Sequence, residues 1–490
     1  MVSAAGGGLV VAANRLPVDR VTNEDGTTEW RTSPGGLVTA MESVMRGREG
    51  AWVGWAGEPG EEIEPFQDDS GLRLHPVTLS AEDVRDYYEG FSNDTLWPLY
   101  HDVIVPPTFH RSWWAAYQRV NERFADAVAQ VAGEGDTAWI HDYQLQLVPA
   151  MLRERRPDLR IGWFNHIPFP PVELFAQLPS REQLLRGLLG ADFLGFQRST
   201  DAANFLRACR QLLGATTKGD VVTWQGADDG RLGSTRRTVR AAAVPISIDF
   251  GGLEELARSP AVRARAAEIR AELGDPETVL LGVDRLDYTK GLRHRLRAVN
   301  ELFQDGEVTT PEVTAVQVAT PSRERVAAYR QLRGQIEQMV GSINGEHSSL
   351  GASAVHYLHH SYDRAEMAAL YQAADVMLVT PLRDGMNLVA KEYVTCRHDL
   401  DGALVLSEFT GAAVELRQAY LCNPHDIAGL KNTILRAMRA SPAERRRRMR
   451  AMRRRVAVND VQRWAARYLE ALASAPDKPT PPTEREEGHG

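Results

Sequence analysis

The chain has 490 residues, and its composition, 43% hydrophobic and 25% charged, is that of an ordinary globular protein. This length exceeds what one core can support, so we expect two domains of roughly 200 to 250 residues, and the net charge of −8 argues against nucleic acid or an anionic membrane as a partner. The three cysteines fit neither a disulfide framework nor a metal site, and with no signal peptide or long apolar run in view we expect a cytoplasmic protein.

Strand-like apolar runs alternate with helical patterns through the first half of the chain. We predict strands at 9–13, 138–140 and 161–164. Apolar residues recur at three- and four-residue spacings over 114–131, which indicates a helix, and a second helix is predicted at 145–155. Such alternation favours βαβ units and a parallel sheet.

Polar side chains follow several of these predicted strands. Arg15 comes just after the first strand, where a guanidinium group could clamp an anionic substrate through two N–H groups. Asp142 and His166 follow the next two strands and could contact sugar hydroxyls or share in proton transfer. For the histidine alone, a turn-capping role before Pro168 is an open alternative.

Glycines and aromatic residues supply further candidates in this half. Gly35 and Gly36 precede a helical segment near Val38 and could let a backbone approach a phosphate or a sugar closely, although most glycine pairs of this kind are only turns. Tyr88 and Trp97 lie in a polar-aromatic stretch that suits the apolar face of a sugar ring. Core packing is the alternative for both rings.

The alternation resumes after the extended segment 244–249, which we interpret as the crossing between domains. Strands are predicted near 279–283, 314–319, 376–380 and 403–406, and an apolar stripe on Trp464, Tyr468 and Leu472 predicts a final helix that docks by one face. The proline-rich, charged segment 475–490 is predicted to be disordered.

The segment 380–392 is the most informative part of the chain. A buried strand, a turn at Gly385 and a helix start would bring several free N–H groups together at a helix N-terminus, where a phosphate can bind. Asp384 at the turn could hold a sugar hydroxyl, and Glu392 could accept hydrogen bonds from a ribose. An ordinary strand-to-helix connection is the alternative.

Two cations follow the predicted strand at 279–283. Arg285 and Lys290 lie near the carboxyl end of that strand, where open α/β sheets bind ligands, and they could stabilise a departing diphosphate in place of a divalent metal. A simple surface ion pair of Arg285 with Asp284 or Asp287 is the competing interpretation. Arg323 follows the strand near 314–319 and is a further candidate phosphate ligand.

Taken in order, these blocks closely resemble the trehalose-6-phosphate synthase family. The similarity runs nearly end to end and is carried by Asn14-Arg15, His141-Asp-Tyr143, His166-Ile-Pro-Phe-Pro170, Gly195-Phe-Gln197, Arg285-Leu-Asp-Tyr-Thr-Lys-Gly-Leu292, Thr320-Pro-Ser-Arg323, the segment from Leu382 to Tyr393, and Ser407-Glu-Phe-Thr-Gly-Ala412.

The resemblance implies a GT-B fold, which is an α/β architecture of two Rossmann-like domains facing across a cleft, with the last helix crossing back to the first domain. The implied limits are 1–246 for the acceptor domain, 247–456 for the donor domain, 457–474 for the returning helix and 475–490 for the tail. It also implies metal-independent, retaining transfer of glucose from a nucleotide-diphosphate glucose to glucose 6-phosphate, with no cofactor, by a homodimer or homotetramer.

The resemblance further implies a role for each matched residue. Donor residues would be Gly35, Gly36, Arg285, Lys290, Val318, Tyr362, Asp384, Gly385, Met386, Asn387, Leu388, Val389 and Glu392. Acceptor residues would be Arg15, Tyr88, Trp97, Asp142 and Arg323. The catalytic set would be Arg285, Lys290, Asp142 and His166.

The donor base is left open by the residues themselves. Ser361 stands where the uridine-using bacterial members have a histidine, and Tyr362 stands where the family often has phenylalanine, so both UDP-glucose and GDP-glucose are candidate donors. Two other functions compete with the synthase: a pseudo-glycosyltransferase that couples cyclitols, and a non-catalytic sensor of sugar phosphate. Both would be expected to depart from the glucose or diphosphate motifs, which are intact in this chain.

Overall fold

The structure, a computed structural model, contains two α/β units, each built on its own sheet. It describes residues 7–22, 28–33, 38, 41, 44–45, 49–225, 236–323 and 325–476. Gly35, Gly36 and the tail residues 477–490 lie outside these ranges.

The first sheet has ten strands, of which the central seven are parallel. In spatial order the strands are Thr216–Lys218, Val221–Trp224, Arg237–Ala243, Phe193–Phe196, Arg160–Phe164, Thr137–His141, Leu9–Arg15, Gly50–Trp55, Arg73–Pro76 and Phe66–Gln67. A separate hairpin pairs Val18–Thr22 with Thr28–Thr32.

The second sheet has six strands, all parallel. Their spatial order is Val355–Leu358, Val313–Thr320, Thr278–Arg285, Val376–Val379, Ala403–Ser407 and Tyr420–Cys422. The central strands Thr278–Arg285, Val376–Val379 and Ala403–Ser407 are buried along nearly their whole length, as is usual for a parallel sheet covered on both faces.

Helices connect the strands of both sheets. In the first unit they are Ala81–Asp83, a π-helical segment Val84–Leu96, Trp97–Tyr100, Arg111–Val131, a 3₁₀ turn Tyr143–Leu145, Val148–Arg155, Val172–Phe175, Arg181–Leu188 and Ser199–Leu213. In the second they are Phe250–Arg258, Pro260–Glu272, a 3₁₀ turn Tyr288–Lys290, Leu292–Gln304, Ala327–His347, Arg364–Ala373, Leu388–Cys396, Ala412–Glu415, Ile427–Met438, Pro442–Val458 and Val461–Ala473.

The elements predicted from apolar periodicity are present with small shifts in their ends. One differs in kind: the helix expected over 145–155 is divided into the turn Tyr143–Leu145 and a helix that begins at Val148. Pro149 explains the division, because a proline is tolerated only in the first turn of a helix.

The final helix crosses from the second unit to the first. Tyr468 stacks on Trp139 of the first sheet with 4.2 Å between ring centroids, and Trp464 Nε1 donates a 3.1 Å hydrogen bond to the carbonyl of Val244. The predicted arrangement of two Rossmann-like domains with a returning helix is thereby confirmed. Among the residues that the structure describes, no helix is both long and apolar enough to cross a bilayer.

Candidate active site

Two loops of the second domain meet at the carboxyl ends of their strands. Lys290 ends the 3₁₀ turn after the strand Thr278–Arg285, and its Nζ lies 2.7 Å from Oδ2 of Asp384 in the loop after Val376–Val379. The backbone N–H of Leu382 donates to the carbonyl of Thr289 at 2.7 Å, which joins the same two loops a second time. The candidate residues predicted in segments 284–291 and 380–392 therefore lie together in one site.

A buried arginine holds the strand ends beneath these loops. Arg295 is 2% exposed, and its Nη1 lies 2.6 Å from Oδ2 of Asp284 and 2.7 Å from Oε1 of Gln317. Its Nε donates to Oγ1 of Thr380 at 3.0 Å. Three neighbouring strands are thus linked by one side chain at the edge where the candidate residues stand.

These pairings leave Arg285 without a carboxylate partner in the described part of the chain. Asp284 is paired with Arg295, and Asp287 with Arg323. The competing interpretation, a surface ion pair of Arg285 with either aspartate, is therefore wrong. The Arg285 guanidinium instead lies 5.4 Å from the ring centroid of Trp97, which belongs to the first domain.

Asp384 and Asn387 shape the start of the next helix. The Asn387 side chain accepts a hydrogen bond from the N–H of Ala390 at 3.0 Å and donates one to Oδ2 of Asp384 at 3.2 Å. Burial alone would raise the pKa of Asp384, but the charge and hydrogen bond of Lys290, with smaller contributions from His101 and Asn387, together hold this pKa below its usual value. The carboxylate is thus kept ionised and fixed in direction.

The helix Leu388–Cys396 presents its N-terminus to this loop. Leu388 and Val389 occupy its first turn, where N–H groups have no partner within a helix. One and a half turns further, Glu392 accepts a 2.8 Å hydrogen bond from the hydroxyl of Tyr371, and burial raises the pKa of Glu392.

Gly385 is a point of close approach between the two domains. A Cβ atom at this position would lie 2.4 Å from the carbonyl oxygen of His166 in the first domain, so only glycine fits. The loop 380–387 of the second domain carries predicted donor residues, and we call it the donor-side loop. Its backbone therefore touches that of the His166 loop of the first domain. Met386, the next residue, is buried.

Asp142 and His166 form the facing wall. The N–H of His166 donates to Oδ1 of Asp142 at 3.1 Å, and His166 Nε2 lies 3.0 Å from Nδ1 of His141. Burial raises the pKa of Asp142 to about 6 and lowers the pKa of His166 to about 3. Asp142 has φ 74° and ψ 175°, a conformation that is nearly confined to glycine and is typical of functional sites when another residue adopts it.

Three of the predicted acceptor residues line one cavity of about 380 Å³ between the domains. Arg15 lies 5.0 Å above the ring of Trp55, and Tyr88 meets the same ring edge-on at 6.1 Å. Arg323 comes from the other domain and closes the opposite side of the cavity. Glu58 and Glu89 also line the cavity, but Arg15 and Arg323 face it from opposite sides and make it suitable for an anion.

Arg323 is held in place by a polar and aromatic frame. Its guanidinium lies 3.8 Å from the ring centroid of Trp97, Nη2 donates to the hydroxyl of Tyr143 at 3.0 Å, and Nη1 lies 3.4 Å from Oδ2 of Asp287. The hydroxyl of Tyr329 donates to the same Asp287 oxygen at 3.0 Å. The frame draws on both domains.

The side chains of some predicted site residues do not point into this cleft. Val318 is fully buried in the core of the second domain. Tyr362 is half-buried at the edge of that core, where its ring meets His360 with 4.3 Å between centroids. Gly35 and Gly36 lie outside the described residues.

Sequence reasoning missed several residues of the site. Asp287 and Tyr143 orient Arg323, Tyr371 holds Glu392, and His101 stacks on Trp97 with 4.2 Å between ring centroids. Asp287 and Tyr143 stand within motifs that carried the resemblance, which is a signal that could have identified them. Tyr371 lies on a helix and His101 directly follows one, and nothing in the local pattern separates them from core residues.

A family comparison agrees with this geometry. The model of glycosyltransferase family 20 matches residues 7–474. The chain belongs to glycosyltransferase family 20. A family 20 protein of Mycolicibacterium vanbaalenii, named trehalose-6-phosphate synthase, is 59% identical over 476 residues, which cover 96% of each chain. The resemblance inferred from the motifs is confirmed, and the chain is a glycosyltransferase.

Solved structures extend the similarity to the whole fold. An E. coli structure described as bound with UDP-2-fluoro glucose has a TM-score of 0.85 and 35% identity, and the match covers 95% of this chain and 99% of that one. An α,α-trehalose-phosphate synthase (UDP-forming) from Burkholderia xenovorans, in complex with glucose-6-phosphate, has a TM-score of 0.86 and 33% identity over 96% and 100% of the two chains. Within the described ranges of the present chain, no group of three or more His, Cys, Asp or Glu side chains is placed to hold a metal.

Proposed function

We propose that this family 20 glycosyltransferase moves glucose, with retention, from a nucleotide-diphosphate glucose to glucose 6-phosphate and forms α,α-trehalose 6-phosphate. The supporting observation is the direct juxtaposition of two sites. A loop pair carrying Arg285, Lys290 and Asp384 lies against the wall formed by Asp142 and His166, beside a cavity with arginines on both sides.

In this proposal the second domain holds the donor. Arg285 and Lys290 bind the diphosphate, the N–H groups of Leu388 and Val389 donate to it, and Glu392 holds the ribose. The transferred glucose contacts Asp384, Gly385, Met386 and Asn387. The base is assigned to Tyr362 and the main chain of Val318, and Gly35 and Gly36 are assigned to donor binding.

The first domain and Arg323 hold the acceptor. Arg15, Tyr88 and Arg323 bind the phosphate of glucose 6-phosphate, which suits the arginine-lined cavity described above. Trp97 and Asp142 orient the acceptor sugar, and His166 lies against the donor glucose. The low pKa of His166 keeps its imidazole neutral, so it can accept or donate a hydrogen bond without adding charge beside an electron-poor sugar.

We propose front-face transfer. The bond between the anomeric carbon and the diphosphate oxygen breaks, the acceptor oxygen bonds to the same face of that carbon, and the acceptor proton passes to the departing diphosphate oxygen. Arg285 and Lys290 stabilise the charge that accumulates on the diphosphate as the sugar becomes oxocarbenium-like. Asp142 accepts a hydrogen bond from the His166 backbone N–H and is assigned to the acceptor sugar. It therefore does not act as a nucleophile in this proposal, and no glycosyl-enzyme intermediate is formed.

Replacement of Lys290 by alanine tests the central step. We expect Lys290→Ala to lower kcat by about 100- to 1000-fold, as is typical when one stabilising donor is removed from a developing charge. Arg297→Ala, which changes an exposed arginine of the next helix, is the matched control and should keep normal turnover. Full turnover by the Lys290→Ala protein would contradict the proposal.

Side-by-side kinetics with UDP-, GDP- and ADP-glucose would identify the base of the donor. Relatives bind or form uridine nucleotides, which supports UDP-glucose, whereas Ser361 and Tyr362 in the base region support GDP-glucose. For a synthase, nucleoside-diphosphate release must depend on glucose 6-phosphate. Release without glucose 6-phosphate would favour another acceptor, and no release with any donor would favour a sensor.

The remaining proposals concern assembly and organisation. We propose domain limits of 1–246, 247–456 and 457–474, a homodimer or homotetramer in solution, and transfer that needs no metal or cofactor. Activity that survives a chelator and mass measurement of the native assembly are the direct tests.

A further inference from the structure

A groove on the second domain is lined mainly by arginine, together with Glu415, Gln418, Ala443 and Ala451. It has a volume of about 660 Å³, which lies in the range of small-molecule sites. Helix Pro442–Val458 contributes five arginines to it: Arg446, Arg447, Arg450, Arg454 and Arg455. We call this feature the arginine groove. It shares no lining residue with the candidate active site.

The groove arginines differ from the other arginines of the same helix. Those others each have a carboxylate partner at 2.5 to 3.0 Å: Arg445 with Asp401, Arg448 with Glu444, and Arg453 with Glu254. Within the described ranges, the five groove guanidinium groups have neither a hydrogen-bond nor an ion-pair partner, and all five residues are exposed. The helix therefore pairs its structural arginines directly and leaves the groove arginines without a direct carboxylate partner among the described residues.

Glu415, the one carboxylate among the described residues that line the groove, does not offset this charge. Glu415 is almost buried, and its Oε1 lies 2.7 Å from Nζ of Lys391. Lys391 is itself buried and also donates to the carbonyl of Ile246 at 2.8 Å. Because the buried Lys391 neutralises the Glu415 carboxylate, the positive charge of the groove arginines faces solvent.

The spacing of the arginines is unfavourable without a ligand. Arg447, Arg450 and Arg454 recur at intervals of three and four residues, so like charges are neighbours on one face of the helix. The protein as a whole has a net charge of −8, so this cluster is a local exception and not part of a generally basic surface. A multivalent anion would relieve the repulsion, and the planar guanidinium fork matches phosphate oxygens in pairs.

We propose that the arginine groove binds a small anion carrying two or more phosphate groups. The volume suits such a compound, and one phosphate group could not reach arginines spread over two helical turns. The acidic net charge of the chain disfavours a nucleic acid strand, which would have to extend beyond the groove.

Calorimetric titration with inorganic tripolyphosphate tests the site. We expect the groove variant Arg447→Ala/Arg450→Ala/Arg454→Ala to bind at least about tenfold more weakly than the unmodified protein, since even one lost charge-assisted hydrogen bond corresponds to about that factor. The control variant Arg263→Ala/Arg297→Ala/Arg467→Ala loses the same charge from other exposed positions and should bind normally. Lys290→Ala should also retain this binding event, which separates the groove from the cations of the cleft.

Equal affinity of the groove and control variants would overturn the proposal, as would loss of binding in Lys290→Ala alone. A single-stranded oligonucleotide provides the second arm. If the groove variant loses affinity for the oligonucleotide and keeps its affinity for tripolyphosphate, the small-anion assignment is wrong. The binding measurements do not depend on catalysis, so their outcome is independent of the proposed synthase activity.

Discussion

Asp142 combines two unfavourable conditions at one residue. Its backbone adopts a conformation that costs of order 1–3 kcal/mol for a residue other than glycine, and its carboxyl group is buried enough for the pKa to rise to about 6. Neither condition improves stability. Both place Oδ1 against the N–H of His166 at the cleft wall, which is consistent with a role in binding a sugar.

Replacement of Asp142 by asparagine should make the stability of the protein less dependent on pH. The folded-state pKa of about 6 lies above the usual value of 3.8, so the protonated form stabilises the fold at low pH and this contribution is lost as pH rises through about 6. Asp142→Asn should therefore gain up to about 3 kcal/mol in unfolding free energy, relative to the unmodified protein, between pH 4 and pH 7. Denaturant unfolding across this range measures the difference.

The exposed substitution Asp275→Asn gives the baseline for that experiment. An Asp142→Asn protein whose relative stability stays constant from pH 4 to pH 7 would show that the carboxyl group is not buried as described. The same variant should also lose turnover, because an amide is a weaker acceptor for a sugar hydroxyl than a carboxylate.

The donor-side loop shows how backbone contacts between elements constrain the sequence. Gly385→Ala should lower kcat/KM by at least about tenfold, because a methyl group placed 2.4 Å from the carbonyl oxygen of His166 would force the two loops apart, and overpacking of this kind costs about 1–3 kcal/mol. Steady-state kinetics with both substrates measure the effect. Gly334→Ala is the matched control, since its new methyl group meets no atom within 4 Å.

A Gly385→Ala protein with unchanged kinetics would mean that the loops do not touch during turnover. The control should be neutral or slightly stabilising, because alanine favours a helix over glycine by roughly 0.5–1 kcal/mol.

Local sequence patterns predicted the elements better than they predicted the contacts between them. The strand-turn-helix at 376–393 and the cations after 279–283 could be read from apolar runs and the polar residues that follow them. The pairing of Asp287 with Arg323 could not, because it joins residues 36 positions apart through a framework of other side chains. The contact of Tyr371 with Glu392 could not be predicted either, because the Tyr371 hydroxyl reaches Glu392 from a helix whose apolar pattern indicates only core packing.

The two domains are held together by more than the cleft contacts. Arg383 is next to Asp384 in the donor-side loop. Its Nε lies 3.3 Å from Oδ2 of Asp102 and its Nη2 lies 3.6 Å from Oδ1 of Asp201, and both aspartates belong to the first domain. Asp201 is fully buried, and burial raises its pKa to about 6. The loop that carries candidate donor ligands is thus anchored to the opposite domain by an ion pair.

Arg383→Ala should raise the donor KM about tenfold and destabilise the protein by about 2–3 kcal/mol, because it leaves the buried Asp201 carboxylate with Arg198 as the one guanidinium of the described residues that still offsets its burial. The double variant Arg383→Ala/Asp201→Asn should recover much of that stability, since the poorly compensated charge is gone. Kinetics and denaturant unfolding measure the two effects. Arg439→Ala, which breaks an exposed pair with Glu307, is the control, and an Arg383→Ala protein that matches it would refute the anchor.

The returning helix also imposes an order on synthesis. Residues 461–473 emerge from the ribosome after both sheets have been made, yet Tyr468 and Trp464 cover Trp139, Phe164 and Phe193 of the first sheet. Until then, the first half of the chain carries an uncovered aromatic face, which is the kind of surface that chaperones bind and that aggregates when translation stops early. Nascent chains that end before residue 461 should therefore depend on chaperones far more than the finished protein does.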